Sequence, residues 1–146
     1  MNRNKSLTFK IVFSLMIIVS LVAVRLFEKE WFPEAFQDFF GSGRYLTEDL
    51  PAVGFSDFFS IMLRYAVNSV FSVVLLYLWF PDRYLIRLVI KFYIYAGLAL
   101  MVLLLLAVRF YHPGAYAFLF YVRRFLIQPM FLFIFLPVFY VLYRRT

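Results

Sequence analysis

The sequence contains no cysteine in 146 residues, and it has only eight acidic residues and one histidine. The absence of cysteine excludes disulfides, thiolate metal ligands, a cysteine nucleophile and a cysteine-linked lipid anchor. The single histidine, His112, lies in a predicted turn beside Pro113 without neighbouring acids, which is poor evidence for a metal ligand. No glycine-rich phosphate loop or paired metal-binding motif is present. We therefore expect no metal site and no cofactor.

Hydrophobic side chains dominate what is present, at 65% of residues with a mean hydropathy of +0.86. Soluble domains are typically about 45–50% apolar, and one this small could not bury so large an excess. Aromatic residues reach 23%. A soluble core rich in aromatics is the blander alternative, but long apolar runs argue against it. The composition predicts an integral membrane protein with one membrane domain over residues 1–146.

Four apolar stretches predict an all-α bundle of four transmembrane helices, at about residues 8–27, 58–80, 88–109 and 117–143. The first could be a signal peptide, but its poor cleavage context favours an uncleaved span. The fourth exceeds the roughly 20 residues that a span needs. We expect either a long tilted helix or an interfacial segment followed by a span that starts near Phe125.

Residues 28–57, which we call the acidic loop, hold seven of the eight acids: Glu28, Glu30, Glu34, Asp38, Glu48, Asp49 and Asp57. Between Pro33 and Phe40 acids alternate with phenylalanines, which predicts a short interfacial helix lying on the bilayer. Lysine and arginine are enriched at both chain ends and in the second loop. The positive-inside rule therefore places both termini in the cytoplasm and the acidic loop outside. The chain has a net charge of +7, and its basic residues flank the apolar spans. This placement indicates contact with a membrane surface and no binding of nucleic acid.

Four arginines interrupt the apolar pattern: Arg25, Arg64, Arg123 and Arg124. With the predicted orientation, Arg64 lies roughly 10 Å deep and Arg123 and Arg124 lie roughly 12–14 Å deep. A charge inside the hydrocarbon costs about 2.5–3.5 kcal/mol on insertion scales, so such residues usually face the bundle and have partners.

Two polar residues lie one helical turn after two of these arginines. Asn68 follows Arg64 by four positions and Gln128 follows Arg124 by four, so each pair shares a helix face. The two polar faces could meet across a helix interface.

Three roles for the arginines stay open. They could pair with acids at the start of the acidic loop, such as Glu28 and Glu30, and lock the helices. They could snorkel to lipid headgroups without a specific ligand. They could instead line a site for a lipid phosphate, a partner's carboxylate or an acidic sorting segment. That anion- or partner-binding site would contain Arg25, Glu28, Arg64, Asn68, Arg123, Arg124 and Gln128.

The string Arg-Arg-Phe-Leu-Ile-Gln-Pro at residues 123–129 carries a family resemblance. With the preceding Phe-Tyr-Val, it resembles the exosortase F system-associated membrane proteins, small proteins of flavobacteria and relatives encoded beside an exosortase. Residues 25–28, residues 64–68 and the acidic loop are also similar to that family, so the resemblance covers nearly the whole chain. The string at residues 123–129 is fairly specific, whereas the other segments alone would be weak.

The family is defined by its gene neighbourhood and has no established activity. The resemblance implies a non-enzymatic accessory protein in the bacterial inner membrane, with a neighbouring exosortase as its partner. Exosortases are membrane transpeptidases with a catalytic cysteine, which this chain lacks. The alternative is a small membrane enzyme or lipid-handling protein that binds an anionic headgroup, with Glu28, Glu30 and His112 as the only plausible reagents. A channel is disfavoured because no helix has a polar stripe along its full length.

Overall fold

The computed structural model describes residues 3–145, and the regular elements of that part of the chain are all helices, without strands. Met1, Asn2 and Thr146, which belong to the predicted cytoplasmic ends, lie outside the described residues. The helices are α1 (Arg3–Leu26), α2 (Glu28–Trp31), α3 (Ala35–Gly41), α4 (Phe55–Trp79), α5 (Arg83–Arg109), α6 (Tyr116–Ile127) and α7 (Met130–Arg145). Single 3-10 turns cover Arg44–Leu46 and Pro113–Ala115. The all-α prediction is confirmed.

Within residues 3–145, three helices, α1, α4 and α5, are long and apolar enough to cross a membrane, and α6 with α7 makes a fourth span if the bent pair counts as one. The chain is therefore a multi-pass membrane protein by the length and composition of its helices. The cytoplasmic placement of both termini stays a prediction.

The fourth apolar stretch is broken between Ile127 and Met130, so of the two alternatives expected for it, the single long tilted helix is wrong. The alternative of an interfacial segment followed by a span stays a prediction. The segment Pro113–Ile127 meets α7 at an angle of 58°. Pro129 has no N–H to donate to the preceding turn, and a proline also pushes the residue before it into extended backbone. Gln128 has that conformation, with φ −113° and ψ 144°. Pro137, in contrast, lies inside α7 without ending it.

Aspartates mark the starts of the two longest helices. The side chain of Asp82 accepts hydrogen bonds from the backbone N–H of Tyr84 at 2.8 Å and of Leu85 at 3.2 Å, which caps α5 after Pro81. Asp57 accepts from the backbone N–H of Gly54 at 2.7 Å, so α4 begins at Phe55. The last three residues of the acidic loop therefore belong to α4.

Helix α4 is the centre of the bundle, because it packs against α1, α5, α6 and α7. Its two halves contribute to two hydrophobic cores. One core contains Ile17, Leu75, Leu76, Ile86, Val89, Tyr93, Leu132 and Phe139. The other lies beneath the acidic loop and contains Phe36, Ile61, Leu104, Ala107, Leu119, Val122, Leu126 and Ile127.

The short helix predicted within the acidic loop is α3, and two phenylalanines of its aromatic face are buried in the protein. Phe36 and Phe39 are 0% and 1% exposed. Phe36 belongs to the second core, and the ring of Phe39 packs edge-on against Tyr111 with centroids 6.0 Å apart. Burial of two phenylalanines against the bundle gives the loop a fixed position, since each buried aromatic side chain stabilises by about 1.5–3 kcal/mol.

Candidate functional site

Two acids of the acidic loop point into the bundle. Glu28 begins α2, and Glu34 lies in extended backbone just before α3, with φ −150° and ψ 149°. Phe32, Glu34 and Phe36 are all buried, whereas Pro33 between them is exposed. Glu34 therefore shares the inward side with the two phenylalanines.

Helix α4 supplies the first partner. Arg64 is 1% exposed and its Nη2 donates to Oε2 of Glu28, whose side chain is 25% exposed. Arg64 follows Ile61 by three positions and precedes Asn68 by four, and all three are buried. These spacings place Arg64 on the core-facing stripe of α4. The pair joins the start of the acidic loop to the central helix.

Helix α6 supplies the second partner. Arg123 donates from Nε to Oε1 of Glu34 at 3.1 Å, and its Nη2 donates to the same oxygen. The side chains of Arg123 and Glu34 are 8% and 1% exposed. The guanidinium carbon of Arg123 also lies 5.9 Å from the ring centroid of Phe40, within cation–π range. The acidic loop is therefore joined to α6 as well as to α4.

Glu28, Glu34, Arg64 and Arg123 form what we call the charge cluster, and their formal charges sum to zero. Burial raises the pKa of Glu34, because desolvation disfavours the carboxylate more than Arg123 and Arg64 favour it. A buried ion pair with so large a desolvation cost specifies the position of its partners more than it adds stability. The geometry therefore favours the locking role for Arg64 and Arg123.

Hydrogen bonds between side chains and the backbone also hold the acidic loop in place. Asp57 accepts from the backbone N–H of Ala35 at 2.7 Å through Oδ1 while its Oδ2 caps α4. The side-chain amide of Gln37 donates to the carbonyl of Phe32 at 2.9 Å. One carboxylate thus holds the first residue of α3 against the first turn of α4.

Asn68 supports the helix break. Its Nδ2 donates to the carbonyl oxygen of Ile127 at 2.9 Å, and the side chain is 4% exposed. That carbonyl belongs to the last residue of α6, two positions before Pro129, where the helix cannot continue. Asn68 shares the buried face with Arg64 as predicted, but its amide donor serves the backbone.

Three of the predicted site residues lie away from the charge cluster. Arg124 is exposed, and its Nε donates to Oε1 of Gln128 at 3.1 Å. Arg25 is exposed in the last turn of α1, where a cation interacts favourably with the helix dipole. The expectation that the Arg124–Gln128 face meets the Arg64–Asn68 face is wrong, because the neighbouring Arg123 is the residue that points inward.

The sequence prediction included Glu28 and omitted Glu34 and Asp57 as anchors, and it named Glu30, which is exposed. The alternation Phe32, Glu34, Phe36 is the signal that could have identified Glu34 as an inward-facing acid. Among residues 3–145, no group of three or more histidine, aspartate or glutamate side chains is arranged to hold a metal ion. His112 is exposed in the turn after α5.

A groove of about 550 Å³ runs between α4 and α5. Its lining is apolar and includes Ala66, Val70, Ile94 and Leu98. The hydroxyl of Tyr65, which also borders the groove, donates to the carbonyl of Tyr93 at 2.6 Å. No charged side chain of the described part of the chain lines the groove, so its chemistry suits a hydrocarbon group.

Comparison of the chain with known protein families, curated proteins and solved structures gives no match. The resemblance to exosortase F system-associated membrane proteins therefore stays a prediction, carried by residues 120–129 and by the three weaker segments.

Proposed function

We propose that this chain is a non-enzymatic accessory protein of an exosortase-type protein-sorting system in the bacterial inner membrane. It would present the acidic loop as a preformed docking surface for its partner. The observation that supports this role is the double attachment of the loop, through Glu28 to Arg64 and through Glu34 to Arg123. A surface that is already ordered loses less conformational entropy when a partner binds.

The same geometry assigns different roles to the buried and the exposed arginines. Arg64 and Arg123 are buried and occupied by glutamates, so neither contacts a partner while the loop is in place. Arg124 is exposed, because as the next residue of α6 it is rotated by about 100° from the inward-facing Arg123. Arg124 is therefore the arginine best placed to bind a partner's carboxylate or a lipid phosphate, since its fork geometry matches both.

Co-purification with the neighbouring exosortase in mild detergent tests the proposal. Arg124→Gln should reduce recovery of the exosortase without lowering the thermal midpoint of this protein. Arg87→Gln is the matched control, because Arg87 is also an exposed helical arginine but lies at the other end of the bundle. Recovery should be unchanged in that variant.

Gene deletion supplies the decisive negative outcome. Loss of the accessory protein should impair processing of proteins that carry carboxyl-terminal sorting signals. If the wild-type chain does not co-purify with the exosortase and sorting is normal after deletion, the proposed role is wrong.

A lipid-handling protein is the second candidate, and the groove between α4 and α5 favours it. The groove would take an acyl chain, but it offers no cation for an anionic headgroup. Native mass spectrometry should then detect a retained lipid in the wild type that is reduced in Val70→Trp, which fills the groove. Equal lipid retention in the two proteins would remove this candidate.

A further inference from the structure

Three charged atoms of the charge cluster are buried without hydrogen-bond partners among residues 3–145. They are Nε and Nη1 of Arg64 and Oε2 of Glu34. Buried polar groups are nearly always paired, because an unsatisfied charged group costs more than an ordinary hydrogen bond contributes. Two of these atoms are donors and the third is an acceptor, and the opposite charges of Arg64 and Glu34 attract each other.

Arg64 and Glu34 can each make more hydrogen bonds than they make in this structure. A guanidinium has five N–H donors, whereas Arg64 donates from Nη2 alone. Glu34 accepts both donors of Arg123 on Oε1 and leaves Oε2 free. Oε2 could accept from Arg64 without releasing Arg123.

We propose that Arg64 has two alternative carboxylate partners, Glu28 and Glu34, and that its exchange between them makes the acidic loop a two-position latch. In the position seen here, Arg64 holds Glu28. In the second position Arg64 donates to Oε2 of Glu34, Arg123 stays on Oε1, and Glu28 is free to leave with α2.

Exposure determines which glutamate can leave. The side chain of Glu28 is 25% exposed, whereas that of Glu34 is 1% exposed. A freed Glu28 can become hydrated, but a freed Glu34 would be an unpaired buried charge. Breaking a buried pair is costly mainly because one charge remains without a partner. Exchange avoids that cost, so α2 can move while α3 stays docked. This latch does not depend on the identity of the partner proposed above.

Cysteine accessibility can test the latch, because the natural chain has no cysteine. Ala35→Cys places a half-buried reporter at the start of α3, where the alanine side chain makes no hydrogen bond. Maleimide labelling would be measured in this background, in Glu28→Gln, in Glu34→Gln and in the double variant. Helical circular dichroism and size-exclusion profiles would exclude variants that do not fold.

The latch predicts that Glu28→Gln changes the labelling rate by less than about twofold, because Arg64 moves to Glu34. The double variant should exceed the product of the two single effects by about tenfold or more. Independent ion pairs predict instead that the double effect equals the product of the single effects. That result would overturn the proposal.

Nuclear magnetic resonance of the Arg64 side chain gives a second measurement that does not depend on the reporter. Its signal can be assigned by its loss in Arg64→Lys. Rotation about the Nε–Cζ bond should stay slow in Glu28→Gln and become fast only when Glu34 is also replaced. Fast rotation in a folded Glu28→Gln protein would equally overturn the latch.

Discussion

Arg123 and Glu34 lie 89 positions apart in the chain, yet Nε of Arg123 donates to Oε1 of Glu34 at 3.1 Å with both side chains buried. The pair connects the broken fourth apolar stretch to the acidic loop. The contribution of this pair to stability can be separated from its role in positioning the loop. Replacing one residue of a buried ion pair leaves an uncompensated charge, whereas replacing both residues does not.

Replacing one partner should be far more damaging than replacing both. Glu34→Leu alone leaves the guanidinium of Arg123 buried without its partner and should reduce the free energy of unfolding by about 3–5 kcal/mol. Arg123→Met should cost less than Glu34→Leu, because Arg64 can take the place of Arg123 on Glu34. The double variant Arg123→Met/Glu34→Leu should recover most of that loss. Unfolding titrations in detergent measure all three. Additive losses in the double variant would show that the two residues act independently.

The stability of the protein should depend on pH through the titration of Glu34. Burial raises the pKa of Glu34 above the ordinary 4.5, so ionising this carboxyl costs more in the folded chain than in the unfolded one. The resulting contribution to stability is fully present below that ordinary pKa, and it is lost as the pH rises through the raised folded value. The thermal midpoint of wild type relative to Glu34→Gln should therefore fall as the pH rises above the ordinary pKa of 4.5. A difference that is constant with pH would contradict this sign.

The membrane spans and the need of two arginines for partners could be predicted from the sequence. Apolar length identified the spans, and the insertion cost of Arg64 and Arg123 indicated that both need partners. The partner acids could not be assigned from spacing, because Glu34 meets Arg123 only through the path of a loop that packs α3 into the core.

The helix break shows a second limit of sequence reasoning. Pro129 and Pro137 lie in the same apolar stretch, but only the first ends a helix. A carbonyl left free at the break needs a donor, and Asn68 of α4 provides one to Ile127. That contact joins residues 59 positions apart. Local pattern contains no information about it.

Removing the Asn68 amide should destabilise the break. Asn68→Leu leaves the Ile127 carbonyl buried without its donor and should cost about 1–3 kcal/mol. Ser69→Ala is the control on the same turn of α4, because the Ser69 hydroxyl donates to the carbonyl of Tyr65 within one helix. Its effect on the unfolding free energy should be clearly smaller. Equal effects would mean that the Asn68 contact does not support the break.

Gly97 should tolerate no side chain, because a Cβ there would lie 2.5 Å from Cε1 of the Tyr65 ring. The ring is held by its hydroxyl, which donates to the carbonyl of Tyr93 at 2.6 Å, so it cannot move without losing that bond. Gly97→Ala should therefore reduce the unfolding free energy by about 1–3 kcal/mol. Gly41→Ala is the matched control, since a Cβ at Gly41 meets no atom within 4 Å. Tyr65→Ala removes the clash, so adding Gly97→Ala to that background should cost little. A Gly97→Ala effect that persists without the Tyr65 ring would place its cause in the backbone of α5 instead of at the contact between α4 and α5.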